Sequence, residues 1–405
     1  MKPLVAVLGG GPAGLMAAEV LATAGAMVTV YERMPTVGRK LQVAGRGGLN
    51  LTHSEPLDAF LDRYGSAREH LGPAIERFGP TALQAWSEGL GEGTFIGSSG
   101  RVFPEGFRAT TLLRAWLRRL DDLGVTFCTR HTWQGWNDDG ALAFTRPDGS
   151  VVMVTAAATV LALGGASWPR TGSDGAWAEP LRAAGVDVRP LRPANCGFVV
   201  PWSDVFRDRF AGTPVKNTAV RHGGVVARGD LMITRDGIEG GPIYALSSRL
   251  RSTIDSGTSA LLEVDLFPDT TAAALATRLG RRRPKDSLAT ALGRAGMAPV
   301  TVGLAREATA NQPPTSPRAL AALLRMLPLT LTAPQPITRA ISTAGGVALD
   351  AIDEHAMLRV RPGTFVAGEM LDWEAPTGGY LLQAAFSTGV AAAEGVLAYL
   401  GTVQP

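Results

Sequence analysis

The first 33 residues show two apolar, strand-like runs separated by a helix-like run. Residues 4–8 are continuously apolar, residues 12–23 are apolar at helical spacing, and residues 27–32 form a second apolar run that ends in an acid. A buried strand, a helix and another strand in this order are typical of a β-α-β unit. The N-terminal pattern therefore predicts the start of a doubly wound α/β sheet.

A glycine-rich turn, GGGPAG, lies between the first strand and the helix. We expect Gly9 to make the tight turn, Gly11 to let the backbone approach a pyrophosphate, and Gly14 to bring the helix close to the strand. The N–H groups at the start of the helix favour negative charge, and Glu32 can accept hydrogen bonds from a ribose. The sequence thus predicts a Rossmann-type dinucleotide site.

The α/β pattern continues to residue 165. Residues 54–89 and 110–123 have helical spacing, and residues 142–157 form a predicted hairpin across the turn RPDGS. Residues 159–165 form a buried strand that ends in the pair Gly164–Gly165. Because strand ends in a doubly wound sheet meet the ligand, we expect this glycine pair to lie at the cofactor.

Residues 191–336 interrupt this pattern. Four prolines between residues 190 and 214 punctuate short strand-like runs, and helices with proline-rich turns follow to residue 327. We therefore predict an α/β fold in which residues 1–190 and 337–405 build one Rossmann-type domain. The insertion is predicted to be a β-barrel-like and helical substrate or cap domain.

The C-terminal segment 364–389 carries a second chemical signal. A strand ends at Gly368 and Glu369, and the pair Gly378–Gly379 opens the last helix. An acid at a strand end can hold a polyol chain such as ribitol. A helix N-terminus can stabilise negative charge at the N1 and C2 carbonyl side of a reduced flavin. Together with the first motif, this segment favours a flavin cofactor.

Composition narrows the class of partner. The 405-residue chain has a net charge of +3 and no basic stripe with interleaved aromatic residues, so we expect no nucleic-acid partner. Cys128 and Cys196 are isolated, which argues against a disulfide-exchanging enzyme and a cysteine-held metal. We expect no metal site and a cytoplasmic protein, since isolated cysteines suit a reducing compartment.

Membrane insertion is not expected from the sequence. The chain starts in its first core strand, which leaves no room for a signal peptide. The apolar stretch 380–400 includes polar residues and many alanines, so we predict a buried helix there. The oligomeric state is left open by the sequence.

Over nearly its whole length the chain resembles the BaiN-like (YhiN-like) family of FAD-dependent oxidoreductases, some members of which are named aminoacetone oxidases. The blocks that carry the resemblance are GGGPAGLMAA, ERMPTVGRKLQVAGRGGLNLTH, GRVFPEGFRA, VLALGGASWPRTGSDG, ISTAGGVALD and AGEMLDWEAPTGGYLLQAAFSTG. The resemblance implies non-covalent FAD, with the backbone of Trp133 at the adenine. Together with the glycine motif it implies FAD contacts at Gly9, Gly11, Pro12, Ala13, Gly14, Glu32, Arg33, Arg39, Lys40, Trp133, Ala162, Gly164, Gly368, Glu369, Gly379, Tyr380 and Leu381.

Two departures from the family pattern concern the substrate. Many relatives have a cysteine where this chain has Leu49 in GRGGLN, so a thiol role is absent there. Relatives often have a His-x-Gly-Leu-Ser-Gly-Pro loop in the insertion, whereas this chain reads RDGIEGGPIY from Arg235 to Tyr244. Both changes alter the expected lining of the pocket without touching the expected FAD contacts.

Arg46, Asn50 and Tyr380 are the candidates to line the space in front of the flavin. Hydride transfer needs about 3 to 3.5 Å between flavin N5 and the reacting atom. Arg46 could polarise a carbonyl or hold a carboxylate, and Tyr380 could donate a proton. His53 raises the question of covalent flavin attachment or acid–base work, and a capping role before the helix near Glu55 is the plainer explanation.

Three function classes fit these features. The first is an FAD-dependent oxidoreductase that exchanges hydride with a small carbonyl-containing or unsaturated metabolite, its flavin reduced by NADH or NADPH. An oxygen-using amine or ketone oxidase is the variant that the substrate itself reduces. The second class is a flavoprotein acting on tRNA, and the third is a non-catalytic FAD-stabilised or redox-sensing protein. No second glycine motif follows a strand, so NAD(P)H would be a transient donor without a recognisable site.

Overall fold

The computed structural model describes residues 3–281 and 287–403, and at residues 46, 402 and 403 the backbone alone. The chain forms two compact units, a first unit of Met1–Arg192 with Ser342–Pro405 and an inserted unit of Pro193–Ile341. The inserted unit continues past the predicted end at residue 336. It does so because Ala340 is buried in its apolar core and the Ile341 N–H donates to the Asn195 carbonyl.

The first unit contains both ends of the chain. Its strands are β1 (Leu4–Leu8), β2 (Met27–Glu32), β3 (Thr52–His53), β4 (Thr94–Ile96), β5 (Arg101–Pro104), β6 (Thr126–Thr129), β7 (Thr132–Trp136), β8 (Leu142–Thr145), β9 (Val151–Val154), β10 (Ala158–Leu161), β11 (Val188–Ala194), which leads into the inserted unit, β19 (Ser342–Val347) and β20 (Thr364–Val366). Its helices are α1 (Pro12–Thr23), α2 (Arg39–Ala44), α3 (Leu57–Asp62), α4 (Arg68–Arg77), α5 (Pro80–Gly89), α6 (Ala109–Asp122), α7 (Ala178–Ala183) and α14 (Tyr380–Val403).

A parallel sheet in the order β20-β10-β1-β2-β6 forms the centre of the first unit. The chain builds outward from β1 through β2 to β6 on one side and through β10 to β20 on the other. The carboxyl end of β1 is therefore a topological switch point, where α/β folds bind ligands. The predicted Rossmann-type α/β fold is confirmed. Strand β10 ends at Leu161, before the predicted residue 165, and Gly164 has a positive φ of +73° that extended strands do not use.

Helices α1 and α14 pack closely beside the switch point. A Cβ atom on Gly389 would lie 2.4 Å from the Ala13 carbonyl oxygen, so glycine permits this approach. By length and composition α14 could cross a membrane, but 61% of its apolar window is buried inside the protein. Core helices of soluble proteins pass the same test, and α14 packs as such a helix here.

The described residues of the first unit also form two three-stranded antiparallel sheets, in the orders β3-β5-β4 and β7-β8-β9, and a two-stranded sheet of β11 and β19. Strands β8 and β9 pair across the predicted turn, and β9 ends at Val154. The region predicted to be helical, residues 54–89, contains α3, α4 and α5. The first small sheet brings Thr52 and His53 beside the start of α14, which matters for the site below.

The inserted unit combines a sheet with helices. Its strands are β12 (Phe198–Val199), β13 (Pro214–His222), β14 (Val225–Thr234), β15 (Gly237–Glu239), β16 (Ala260–Asp265), β17 (Leu327–Leu331) and β18 (Ala333–Pro334), and its helices are α8 (Asp204–Phe210), α9 (Gly241–Asp255), α10 (Ala272–Leu279), α11 (Leu288–Arg294), α12 (Pro299–Glu307) and α13 (Pro317–Arg325). The strand order is β17-β16-β13-β14-β15-β12-β18. Because only Thr332 separates β17 from β18, the two ends of this order meet and the sheet closes into a barrel.

Candidate functional site

The glycine-rich turn follows β1 at the switch point, and three of its glycines, Gly9, Gly10 and Gly14, have no room for a side chain; at Gly10 a Cβ would lie 2.4 Å from Val37 Cγ1. Gly9 has φ +106°, and a Cβ there would lie 2.2 Å from the Ala162 carbonyl oxygen. A Cβ on Gly14 would lie 2.0 Å from the Gly9 carbonyl oxygen. Real Cβ atoms do not approach so closely, so the turn and the contact of α1 with the sheet require glycine at positions 9 and 14.

Gly11, by contrast, borders open space. It is the N-cap residue of α1, and a Cβ built on it meets no heavy atom within 4 Å. No side chain caps the helix, and Pro12 at the first position has no N–H to satisfy. Because the Leu15 N–H makes the first intrahelical bond, to the Gly11 carbonyl, the helix geometry leaves the Ala13 and Gly14 N–H groups without a helical acceptor. This open, donor-rich end fits a pyrophosphate.

Glu32 ends β2 beside the same turn. One of its carboxylate oxygens accepts the Gly10 N–H at 2.9 Å and the other accepts the Met34 N–H at 2.7 Å. Each oxygen has a further lone pair for a ribose hydroxyl. Burial raises the pKa of Glu32, while these N–H groups and nearby Arg33 and Arg39 act in the opposite direction. Glu32 therefore fixes the turn and can also bind a ribose.

Arg33 and Arg39, two further predicted FAD contacts, both follow Glu32 in sequence. Arg33 forms an ion pair with Asp174, which brings the segment after β10 to the end of β2. Arg39 opens α2, and its buried Nε has no hydrogen-bond partner among the described residues. A buried donor without an acceptor is costly, so this position fits a ligand that brings an acceptor oxygen, such as a phosphate.

Lys40 and Glu369 come together from opposite ends of the chain. The Lys40 ammonium group lies 2.5 Å from one Glu369 oxygen and 2.8 Å from the Ser167 hydroxyl. The other Glu369 oxygen accepts the Thr343 N–H at 3.0 Å, and the Thr343 hydroxyl accepts the Ala166 N–H at 2.8 Å. The sequence predicted Lys40 and Glu369 but missed Ser167 and Thr343. Both missed residues lie two positions from a glycine pair, in GGASW and ISTAGG, which is the signal that could have found them.

The start of α14 is also preceded by glycines. Gly378 and Gly379 have φ values of +136° and +104°, and a Cβ on Gly379 would lie 2.4 Å from the Thr52 carbonyl group. The Gln383 N–H makes an intrahelical bond to the Gly379 carbonyl. The N–H groups of Tyr380 and Leu381 precede that bond, so the helix provides no acceptor for them. They are donors of the kind that a flavin carbonyl needs.

The three catalytic candidates differ in what surrounds them. The Tyr380 hydroxyl donates to Glu55 at 2.5 Å. The Asn50 amide oxygen is buried without a hydrogen-bond partner among the described residues. The side chain of Arg46 lies outside the described residues, so its predicted role stays a prediction.

The remaining predicted residues have mainly local contacts. The Trp133 indole packs edge-on against Trp136 in β7, and the Gly164 carbonyl accepts the Trp177 indole N–H at 2.8 Å. Gly368 has φ +83°, and a Cβ there would lie 2.8 Å from the Ala13 Cβ. His53 accepts the Glu55 N–H on Nδ1, and its Nε2 lies 3.0 Å from the Ser99 carbonyl oxygen. Both ring nitrogens are thus engaged. Helix α3 begins at Leu57 with Pro56 as its N-cap residue and no side-chain cap, so His53 does not cap it and instead joins residue 55 to the loop at Ser99.

Glu32→Gln is expected to weaken FAD binding at least about tenfold, or about 1.4 kcal/mol. Glutamine replaces one acceptor oxygen with an NH2 group, which then faces either the Gly10 or the Met34 N–H donor. Fluorescence titration of FAD into apoprotein gives the dissociation constant, with the exposed Glu88→Gln as control.

The same titration has a pH signature. Ribose hydroxyl donors favour the charged carboxylate, so wild-type FAD affinity falls as pH falls through the raised Glu32 pKa. In Glu32→Gln the FAD affinity is expected to stay constant over the same pH range. An unchanged affinity and an unchanged pH profile in this variant would remove Glu32 from the nucleotide site.

Comparisons with known proteins identify the family. The family model HI0933-like protein Rossmann domain matches residues 3–395. The chain is 25% identical over 401 residues to the 3-dehydro-bile acid delta(4,6)-reductase of Clostridium scindens, which covers 95% of this chain and 97% of the relative. It is 24% identical over 401 residues to the ribosomal RNA dihydrouridine synthase of Haemophilus influenzae, covering 96% of each.

A solved structure shares the fold at low sequence identity. The open conformation of a flavocytochrome c3 fumarate reductase is 16% identical, with a TM-score of 0.55, and the match covers 98% of this chain and 78% of that one. The open end of α1, the acid that ends β2 and the glycine-opened start of α14 fit the two halves of FAD. The protein belongs to the HI0933-like family and is an FAD-dependent oxidoreductase.

Proposed function

We propose that this enzyme reduces a carbon–carbon double bond conjugated to a carbonyl group in a small metabolite, with NADH or NADPH reducing the flavin. The observation that carries the proposal is the bile acid reductase relative, whose match spans nearly the whole of both chains. A 3-dehydro steroid with delta-4 and delta-6 double bonds is a conjugated ketone. Such an alkene is electron-poor and accepts hydride at the carbon remote from the carbonyl.

When bound, FAD would carry two electrons, received and passed on as a hydride. The residues of the chain hold the cofactor and balance the negative charges at its phosphates, at Glu369 and on the flavin. The N–H groups at the start of α1 bind the phosphates, and Lys40 balances the Glu369 carboxylate beside the expected ribityl chain. The uncapped N–H groups of Tyr380 and Leu381 stabilise negative charge that accumulates on the flavin carbonyl side.

A reductase acting on RNA is the second candidate, and one observation favours it. The relative from Haemophilus influenzae is named a ribosomal RNA dihydrouridine synthase. Dihydrouridine differs from uridine by saturation of a double bond conjugated to a carbonyl, so both named relatives belong to one class of hydride chemistry. The net charge of +3 is small for an RNA-binding enzyme, so the small metabolite is the leading proposal.

An anaerobic visible spectrum is the test of the proposed function. Adding NADH or NADPH is expected to bleach the flavin band, and a conjugated enone is expected to restore it at least about tenfold faster than the matching saturated ketone. Rapid recovery in air with formation of peroxide would support the oxidase alternative. A bleached flavin that transfers hydride only to a uracil-containing RNA, in a salt-dependent manner, would support the RNA candidate. Flavin that neither nucleotide bleaches would contradict the proposed donor.

A further inference from the structure

One contiguous segment, residues 53–64, holds the residue that opens α14. Tyr380 is only 5% exposed, and its ring packs between two rings of this segment. The His53 ring is stacked on it with centroids 5.4 Å apart, and the Phe60 ring lies at 4.8 Å. The first residue of the helix is thus fixed by its side chain in a pocket built by a short stretch of chain.

Hydrogen bonds hold both polar ends of Tyr380. Its hydroxyl donates to one Glu55 oxygen at 2.5 Å, and its backbone carbonyl accepts the Tyr64 hydroxyl at 2.8 Å. Arg63 binds Glu55 through two nitrogens, with distances of 3.0 and 2.7 Å to the two carboxylate oxygens. Bidentate pairs of this kind restrict the carboxylate to one orientation. The Tyr380 hydroxyl therefore donates to a Glu55 carboxylate whose orientation is fixed by Arg63.

The proton of this pair stays on Tyr380. Burial, followed by the hydrogen bond to Glu55, raises the pKa of the Tyr380 phenol, and the hydrogen bond from Arg63 lowers the pKa of Glu55. The other titratable groups around the ring are His53, stacked on one face, and Tyr64. Arg101 on β5 approaches the neighbouring Gly378. A phenol with a raised pKa and a committed acceptor is a poor proton donor to substrate, which argues against the catalytic role that the sequence suggested for Tyr380.

We propose that Glu55 is a positioning residue: through the Tyr380 hydroxyl it holds the first turn of α14, so that the Tyr380 and Leu381 N–H groups stay directed at the flavin. This inference rests on the proposed placement of the flavin at the start of α14. Preorganised N–H donors stabilise developing charge only when their position is fixed before reaction. Loss of the Glu55 acceptor is therefore expected to make the bound flavin harder to reduce.

Three variants of the FAD-loaded protein test the proposal. Glu55→Ala removes the acceptor of the Tyr380 hydroxyl. Glu55→Gln keeps an acceptor oxygen for it while ending the ion pair with Arg63, whose side chain is 48% exposed and can turn to solvent. Glu394→Gln is the matched control, because Glu394 pairs with Arg77 and braces the same helix 14 residues further on, about 21 Å away at 1.5 Å per residue.

The reduction potential of the bound flavin, measured by dithionite titration with a reference dye, is the main readout. Glu55→Ala is expected to shift the potential to a more negative value and to slow flavin reduction about tenfold. In Glu55→Gln the rate of flavin reduction is expected to stay within about twofold of the wild-type rate. Glu394→Gln is expected to match the wild-type protein in both rate and reduction potential. Tyr380→Phe is expected to reproduce Glu55→Ala, and the double variant to be no worse than either single one, because both remove the same bond.

Other outcomes would overturn the proposal. If Glu55→Ala has the reduction potential and flavin spectrum of the wild-type protein, Glu55 does not position the first turn of α14 for the flavin and has only a structural role. Equal losses in Glu55→Gln and Glu55→Ala would show that charge matters and the hydrogen bond does not. Loss of an ionisation from the pH profile of turnover in Tyr380→Phe would restore Tyr380 as a proton donor. The dithionite titration needs no substrate, so failure of the proposed enone reaction would leave this test intact and distinguishable.

Discussion

Gly11→Val is expected to give a folded protein that has lost FAD, with affinity lower by at least about 100-fold, or about 2.7 kcal/mol. The chain alone has room for the new side chain, since a Cβ on Gly11 meets nothing within 4 Å. That room is the space in front of the α1 N-terminus, where the pyrophosphate is predicted to bind. The valine methyl groups would fill it. The ratio of flavin absorbance to protein absorbance after purification, together with FAD titration, measures the loss.

Two glycine variants serve as controls for this prediction. Gly293→Val also enters open space, at an exposed position of α11 in the inserted unit, and is expected to keep FAD. Gly14→Ala is expected to impair folding itself, because its Cβ would lie 2.0 Å from the Gly9 carbonyl oxygen. A yellow Gly11→Val protein with wild-type affinity would refute the assignment of the α1 N-terminus to the pyrophosphate.

The contrast among these glycines shows how far the sequence alone could go. The spacing of GGGPAG after an apolar run predicted the strand, the turn and the helix, because each glycine role follows from a local steric rule. The same local logic predicted the acid at the end of β2 and the helix opened by Gly378 and Gly379. These elements are short-range in sequence, and the structure contains them at the switch point of the sheet.

Contacts between distant parts of the chain were beyond such rules. Lys40 and Glu369 were each predicted to touch FAD, yet nothing in their separate blocks indicated that they pair with one another across 329 positions. Their meeting depends on β20 lying beside β10, and the pairing of parallel strands is set by the whole fold. The hydrogen bonds between residues 53–64 and Tyr380 were missed for the same reason, since they join positions more than 300 residues apart.

The inserted unit illustrates a different limit. In the sequence, its prolines and short apolar runs differ from the α/β pattern before and after it. Composition therefore predicted its approximate extent. Its end at Ile341 depends on the burial of Ala340 and on a backbone hydrogen bond to Asn195, which no composition pattern records. Which of its side chains face a substrate is a question of tertiary placement, and the sequence departures between Arg235 and Tyr244 indicate only where specificity differs.

A buried acid on α1 links three helices and was not singled out in the sequence. Glu19 is 8% exposed, and its carboxylate accepts the Trp86 indole N–H at 3.1 Å and the Trp116 indole N–H at 2.5 Å. Arg119 donates to its other oxygen at 2.9 Å. The two indole rings pack edge-on 4.8 Å apart. The Glu19 carboxylate thus accepts hydrogen bonds from donors on α5 and α6. Glu19 itself lies on α1, the helix that follows the glycine-rich turn.

Glu19→Ala is expected to destabilise the first unit by about 2 to 4 kcal/mol, less than the cost of breaking a fully buried ion pair, because the Arg119 side chain is 29% exposed and can turn to solvent. The substitution leaves the Trp116 indole N–H buried without an acceptor and also opens a cavity. Urea unfolding of the FAD-saturated protein, followed by tryptophan fluorescence, measures the loss. Glu19→Gln is expected to cost less, because its remaining oxygen still accepts an indole N–H.

The exposed Glu76→Ala on α4 is the control, with an expected change within about 0.5 kcal/mol. The position of Glu19 adds a functional consequence to its structural one. It lies two turns along α1 from Gly11, so loosening α1 against α5 and α6 also loosens the N–H groups that bind the pyrophosphate. FAD should therefore bind more weakly to Glu19→Ala and should rescue its stability only in part, even at saturating concentration. A variant that unfolds with the wild-type midpoint would show that the two indoles and Arg119 find other partners, and that the carboxylate is not needed to join these helices.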